Sequence, residues 1–177
     1  MEKNLCNALY YIPSLTELAV LALYSQSISA PYMHVVCAPD GEINMLDLGP
    51  FHQKVLNHIQ KIIDNPDLLL GNNSSFETGA LDGLSWQSPG IFQAIQNIKS
   101  EFPHLQSLLV QFFQGAAETW KHFTSEFAPG GLIDESTPDE RDLVWLPATN
   151  DVNEGALVSF RILMQNQPQL TVLHYNA

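Results

Sequence analysis

Apolar residues recur every three to four positions over much of the chain, which is the spacing of amphipathic helices. The longest such pattern follows Phe102-Pro103, where apolar side chains continue from Leu105 to Phe127. It predicts a helix with its buried face at Phe113, Ala116, Trp120, Phe123 and Phe127. Shorter patterns predict helices from Pro50 to Asn65, from Ser88 to about Ile98, and over 149–166.

Capping signals predict two more helices. Ser14-Leu-Thr-Glu17 reads as a capping box that starts a helix over about 14–28, which Pro31 should break. Thr137-Pro-Asp-Glu140 is a second capping box, opening a short helix to about Trp145.

Two segments lack helical periodicity. Met33–Cys37 looks like a short β piece before the turn Pro39-Asp-Gly41, and the Gly-, Asn- and Ser-rich stretch Gly71–Ser88 reads as a loop. Thr171 could cap one more helix before Ala177. The sequence therefore predicts an all-α fold, an irregular bundle of six or seven helices with at most one short β piece, as a single domain over residues 1–177.

Composition agrees with a globular domain, since 45% of the 177 residues are apolar and 15% are charged. The N-terminal residues do not resemble a signal peptide, and no apolar run approaches the roughly 18 residues that span a bilayer. We therefore expect an intracellular protein, nuclear or cytoplasmic, without membrane contact. Cys6 and Cys37 lack CxxC spacing and are expected to be reduced thiols.

The charge is strongly acidic. The chain has seven Lys and Arg residues and 19 Asp and Glu residues, which gives a formal net charge of -12. Because nucleic-acid affinity comes mainly from cationic contacts to phosphates, this charge argues against direct nucleic-acid binding. It leaves open protein partners that dock on the acidic surface through basic residues.

Patterns typical of catalysis are scarce. The six His residues contain no HxxxH pair, and no nucleophile elbow or phosphate-binding loop occurs. Glu118, His122 and Glu126 follow one another at helical spacing and could align ligands, but they lie opposite the predicted buried face. We expect these three side chains to face water.

One short motif has a possible metal-binding function. In the run Thr149-Asn-Asp-Val-Asn-Glu-Gly-Ala-Leu157, Asp151 and Glu154 offer hard oxygen ligands of the kind that Mg²⁺ accepts. The same residues suit a helix N-terminus, where Asp151 and its neighbours would cap backbone amides. On chemistry alone the cap is favoured.

The run Leu146–Leu157, together with Trp120–Gly131, Asn44–Pro50 and Leu173–Ala177, resembles the C-terminal region of mobile-element-derived proteins of mushroom-forming fungi. This resemblance covers nearly the whole chain. By analogy it implies a transposase-like family with an RNase H-type core, in which Glu154 corresponds to the last acidic residue. Val158 departs from the Gly that the family pattern leads us to expect.

The resemblance implies that residues 1–145 correspond to a helical insertion and 149–166 to the helix that carries Glu154. Two-metal phosphoryl transfer needs further carboxylates on other elements, and no counterpart of these occurs in the sequence. We therefore expect a catalytically silent fragment, truncated at both ends and without a cofactor, in which Glu154 and Asp151 are vestigial ligands. Mg²⁺ would bind only in an intact parent protein. The alternative is a self-sufficient acidic helical interaction module.

Overall fold

The computed structural model describes residues 10–37, 43–149 and 151–166. Within these ranges the protein is all-α, as predicted, and its one β contact is an isolated bridge between Asn44 and Pro147. The helices are α1 (Ile12–Tyr24), α2 (Ala30–Val36), α3 (Gly49–Asp64), α4 (Asp67–Leu70), α5 (Phe76–Gly79), α6 (Pro89–Ile98), α7 (Leu105–Phe123), α8 (Pro138–Leu143) and α9 (Asp151–Asn166).

The core forms where α7 packs against both α3 and α1. α3 contributes Val55, Ile59 and Ile62, and α7 contributes Leu109 and Phe113, all of them fully buried. Each of these side chains stabilises the fold by roughly 1.5–3 kcal/mol relative to an exposed position. The bundle therefore depends on the two helices with the clearest sequence periodicity.

The start of α1 differs from the prediction. The helix begins at Ile12 with Pro13 in its first turn, so Ser14 lies inside the helix and the expected capping box at Ser14–Glu17 is wrong. A proline in the first turn sacrifices no helical hydrogen bond and already has the required φ. It therefore starts the helix without a side-chain cap, and none is present on Tyr11.

Pro31 does not break the first helix. After Tyr24 the chain forms a π-helical segment, Ser25–Ser29, and continues directly into α2. In a regular helix the backbone N–H of residue 31 would donate to the carbonyl of Ser27, four residues earlier, but proline has no N–H. Here the backbone N–H of Leu81 donates to that carbonyl oxygen at 2.9 Å. Because a distant residue satisfies this carbonyl, the helical path is retained. The expected β piece at Met33–Cys37 is thus wrong, while Pro39–Gly41 lies outside the described residues.

The segment Gly71–Ser88 is mainly the loop predicted, with α5 as a short helical turn within it. It is held against the bundle by polar contacts. The Gln26 side chain accepts a hydrogen bond from the Ser88 N–H at 2.8 Å, and His58 Nε2 donates to the Gly79 carbonyl at 3.1 Å. The loop therefore forms part of the wall of the bundle.

The C-terminal third is more open. α7 ends at Phe123, and Ser125–Phe127 forms a separate 3-10 turn, so the predicted continuation of that helix to Phe127 is wrong. The Thr137–Glu140 capping box is confirmed at the start of α8. Asn44 ties this region to the bundle, because its amide donates to the Arg141 carbonyl at 2.9 Å. α9 lies over the range predicted for the sixth helix.

Candidate functional site

Glu154 is exposed on α9, one turn from the start of the helix. The side chain of Asp151 and all of Asn150 lie outside the described residues, so their expected capping or metal-binding role stays a prediction. Within the part of the chain that the structure describes, no three His, Cys, Asp or Glu side chains come together to hold a metal ion. The Mg²⁺ ligand role of Glu154 likewise stays a prediction.

The surface of α9 around Glu154 is apolar. Val158 and Ile162 follow Glu154 at intervals of four residues, and Leu157 follows it by three, so the four share one helical face. Leu157, Val158 and Ile162 are 66%, 56% and 52% exposed. We call these four residues the α9 face. It combines one carboxylate with three large apolar side chains that the bundle leaves uncovered.

The segment that leads into α9 is also apolar and exposed. Leu143 is 84% exposed, and Val144, Trp145 and Leu146 are exposed as well. Uncovered large apolar residues in one contiguous stretch are typical of surfaces that contact another molecule. The apolar exposure therefore extends beyond the α9 face.

Glu118 and His122 on α7 and Glu126 in the following 3-10 turn are all exposed, which confirms the prediction that these three side chains face water. The buried face opposite was only partly predicted. Phe113 is fully buried, Ala116, Trp120 and Phe127 are half-buried, and Phe123 is 77% exposed. The buried line is instead Leu105, Leu109, Phe113 and Ala117, at strict four-residue spacing. Phe123 lies off that line and projects from the bundle.

Phe123 borders a groove along α7 that is lined on the α1 side by Tyr24. The groove encloses a cavity of about 680 Å³ whose lining includes Phe112, Gly115 and Thr119. Its floor is a polar contact between the two helices, in which the Trp120 indole N–H donates to the Tyr24 hydroxyl at 2.9 Å. Burial raises the pKa of the Tyr24 phenol, so this hydroxyl stays protonated at neutral pH.

A second, smaller cavity of about 220 Å³ lies between the first turns of α1 and α7, and Gln111 borders both cavities. Glu17 and His104 line this part together with Leu108. We call these two neighbouring cavities together the α1–α7 groove.

Two buried histidines lie elsewhere in the bundle, on α3. His52 Nε2 is 3.3 Å from the Tyr32 hydroxyl, its Nδ1 is buried without a hydrogen-bond partner, and the edge of Phe127 packs on its ring. Burial lowers the pKa of both His52 and His58 below the ordinary histidine value. Both rings are therefore neutral at pH 7. We assign these two histidines a structural role in the bundle.

The sequence contained a signal for these two residues. His52 precedes Val55, Ile59 and Ile62 at helical spacing on the buried face of α3, and His58 adjoins the same face. A histidine that falls on the apolar face of a helix is expected to be part of the core. These two positions could therefore have been recognised as core from the sequence. The α1–α7 groove had no comparable signal, since the apolar residues of α7 were all assigned to the core.

Comparison with protein-family models, with curated proteins and with solved structures finds no match to this chain. In the ranges 10–37, 43–149 and 151–166, no helix has the length and apolar character needed to cross a membrane.

Proposed function

We propose that this chain is the catalytically silent C-terminal region of a transposase-like mobile-element protein, in which the α9 face packs against the rest of that protein. The observation that supports the proposal best is the composition of the α9 face. A helix that ends at the protein surface is ordinarily polar on its outer side, whereas here three large apolar side chains are exposed.

The position of Glu154 adds to this support. Because Glu154 shares a face with Val158 and Ile162, any partner that covers these residues brings the carboxylate to the interface. In the RNase H-type enzymes with which Glu154 is compared by analogy, the last acidic residue lies on a helix that packs beside a catalytic sheet. The partner we propose is therefore the RNase H-type core of the same parent protein.

The chemistry of phosphoryl transfer explains why we propose that the isolated chain has no catalytic activity. A two-metal mechanism places ions about 4 Å apart and needs several carboxylates to hold them. Glu154 would supply one of these ligands, and the core would supply the others together with the Mg²⁺ site. The chain alone then contributes structure and one ligand, with no reaction of its own.

The test uses the polypeptide encoded in frame upstream of Met1, produced together with this chain. Val158→Asp should abolish its association with the chain, because the substitution places a charge in the apolar interface. Ser159→Asp, which adds the same charge on another side of α9, should leave association unchanged. Equal effects of both variants, or an upstream sequence without further carboxylates on strand-like segments, would contradict the proposal.

A second candidate function is the self-sufficient interaction module. The observation that favours it is the α1–α7 groove, which lies on the bundle itself and does not depend on α9. An apolar groove between two helices is a common binding site for a partner helix.

A further inference from the structure

The larger cavity of the α1–α7 groove has the properties of a site for a small apolar molecule. Its volume of about 680 Å³ lies within the range of about 300–1,000 Å³ that is usual for ligand sites. Besides Tyr24, its lining includes the aromatic rings of Phe112, Trp120 and Phe123. The Tyr24 ring packs edge-on against Phe112, with 5.2 Å between the ring centroids, and this contact holds the phenol in place. The cavity therefore offers a ligand mainly aromatic surface.

The Tyr24 hydroxyl is an unused hydrogen-bond donor at the floor of this cavity. Its oxygen accepts the Trp120 indole N–H at 2.9 Å, so its own hydrogen needs a separate acceptor. In the part of the chain that the structure describes, no group accepts that hydrogen. Burial raises the pKa of the phenol, so the hydroxyl keeps its hydrogen at neutral pH. A ligand with a carbonyl oxygen at this point would satisfy the donor.

The lining of this cavity contains no formal charge. None of its residues is Asp, Glu, Lys, Arg or His. Glu118 and Lys121 are exposed on α7 outside the lining, and their opposite charges offset each other. An ion that entered the cavity would lose hydration without gaining a charged partner, which is unfavourable. The cavity therefore favours a neutral ligand.

We infer that this cavity binds a neutral, apolar small molecule that carries one hydrogen-bond acceptor, such as an aromatic ketone. The apolar body of the ligand packs against Phe112, Trp120 and Phe123, and its carbonyl oxygen accepts the Tyr24 O–H. This inference goes beyond the proposed function and is independent of the α9 face.

The probe is acetylnaphthalene, a neutral aromatic ketone, titrated into the isotope-labelled full chain and followed by NMR. The three tryptophans of the chain each give an indole N–H signal. We expect the Trp120 signal to move, and the signals of Trp86 and Trp145 to stay in place, because neither of these lines the cavity. The movement should saturate with a dissociation constant of about 0.1 mM, as for a weak ligand of this size.

Gly115→Leu tests the location of the site. A Cβ on Gly115 meets no atom within 4 Å, so a leucine there fills the cavity without a clash. Binding should weaken about tenfold or more. Gly90→Leu is the matched control, since Gly90 also has open space around its Cβ, lies in the first turn of α6 and does not line the cavity. It should bind the ketone as the unchanged protein does.

Two analogues of the probe test the chemistry of the site. Naphthoate has a carboxylate in place of the acetyl group and should bind at least about tenfold more weakly, because the lining offers it no cation. Ethylnaphthalene lacks the oxygen. The ratio of the ketone's affinity to that of ethylnaphthalene should fall about threefold to tenfold in Tyr24→Phe, because this variant removes the O–H donor. The loss of the acceptor for Trp120 affects both ligands and cancels in the ratio.

A Trp120 signal that does not move at about 1 mM ketone would overturn the inference. Equal affinities for Gly115→Leu and Gly90→Leu would also overturn it, as would naphthoate binding as tightly as the ketone or a ratio that Tyr24→Phe leaves unchanged. Self-association of the chain that Gly115→Leu abolishes would identify a second copy as the occupant instead. Every variant leaves α9 intact, so a failure here is distinguishable from a failure of α9 docking.

Discussion

At the residue scale, Trp120 connects two parts of the molecule. Its indole N–H bonds Tyr24 in the floor of the groove, and its ring also lies against Tyr32 and His52. Trp120→Ala should cost about 3 kcal/mol in unfolding free energy, as large-to-small changes in packed regions do. Denaturant midpoints measure this loss.

Two neighbours on α7 serve as controls for Trp120. His122→Ala and Phe123→Ala remove exposed side chains and should each change the unfolding free energy by at most about 0.5 kcal/mol. If His122→Ala were as damaging as Trp120→Ala, the assignment of the two faces of α7 would be wrong.

Buried histidines should make stability depend on pH. His52 and His58 have lowered pKa values in the folded protein, so below the ordinary value of 6.5 the unfolded chain binds more protons than the folded one. The stability that the two neutral histidines contribute is therefore fully present above pH 6.5. It is lost as the pH falls towards their lowered pKa values. Urea midpoints at pH 7.5 and 5.5 should differ, with the lower midpoint at pH 5.5.

The paired variant His52→Leu with His58→Leu tests the source of that pH effect. It lowers stability at both pH values, but the difference between pH 7.5 and 5.5 should shrink. An undiminished difference would assign the effect to other groups. Glu140 is not among them, because its lowered pKa keeps it ionised over this range.

At the element scale, the periodic sequences α3, α6 and α7 were predictable, because each buries one face against a neighbour and that face is visible as a repeat of apolar residues. The path through Pro31 was not predictable. It depends on the Leu81 N–H reaching the Ser27 carbonyl, a contact that only the tertiary structure creates. The exposure of Phe123 was likewise not predictable, because it depends on where α7 ends and on which line of its residues is buried.

The candidate functional sites were also only partly predictable from the sequence. Glu154 was singled out from the sequence and lies on α9 as expected, but the apolar face around it became visible only when the bundle was seen to leave it uncovered. The groove required knowing which apolar residues of α7 do not reach the core. Periodicity identifies an apolar side of a helix, and it does not say how much of that side is covered.

Gly115 offers a prediction about α7 as an element. Gly115→Ala should raise the unfolding free energy by about 0.5–1 kcal/mol, because alanine favours a helix interior and its Cβ meets no neighbour. Gly131→Ala should destabilise instead, since its Cβ would collide with the backbone of Glu126. Thermal midpoints of the two variants should move in opposite directions, and a fall for Gly115→Ala would show that its surroundings are closed.

At the scale of the whole molecule, the charge of -12 governs which partners can approach. We predict no measurable binding of duplex DNA by this chain at physiological salt, since seven scattered cationic side chains cannot release counterions together. Fluorescence anisotropy with a labelled duplex is the measurement. Submicromolar affinity with a steep salt dependence would contradict the prediction.

The central claim is that the chain carries one ligand of a metal site and has no catalytic activity without the other ligands. Nicking of supercoiled plasmid by the purified chain with Mg²⁺ or Mn²⁺ tests this most directly. We predict no nicking above the level of Glu154→Gln, with Glu118→Gln, an exposed carboxylate on α7, as the matched control. Nicking that persists in Glu118→Gln and disappears in Glu154→Gln would contradict the account and show that the chain holds a complete site.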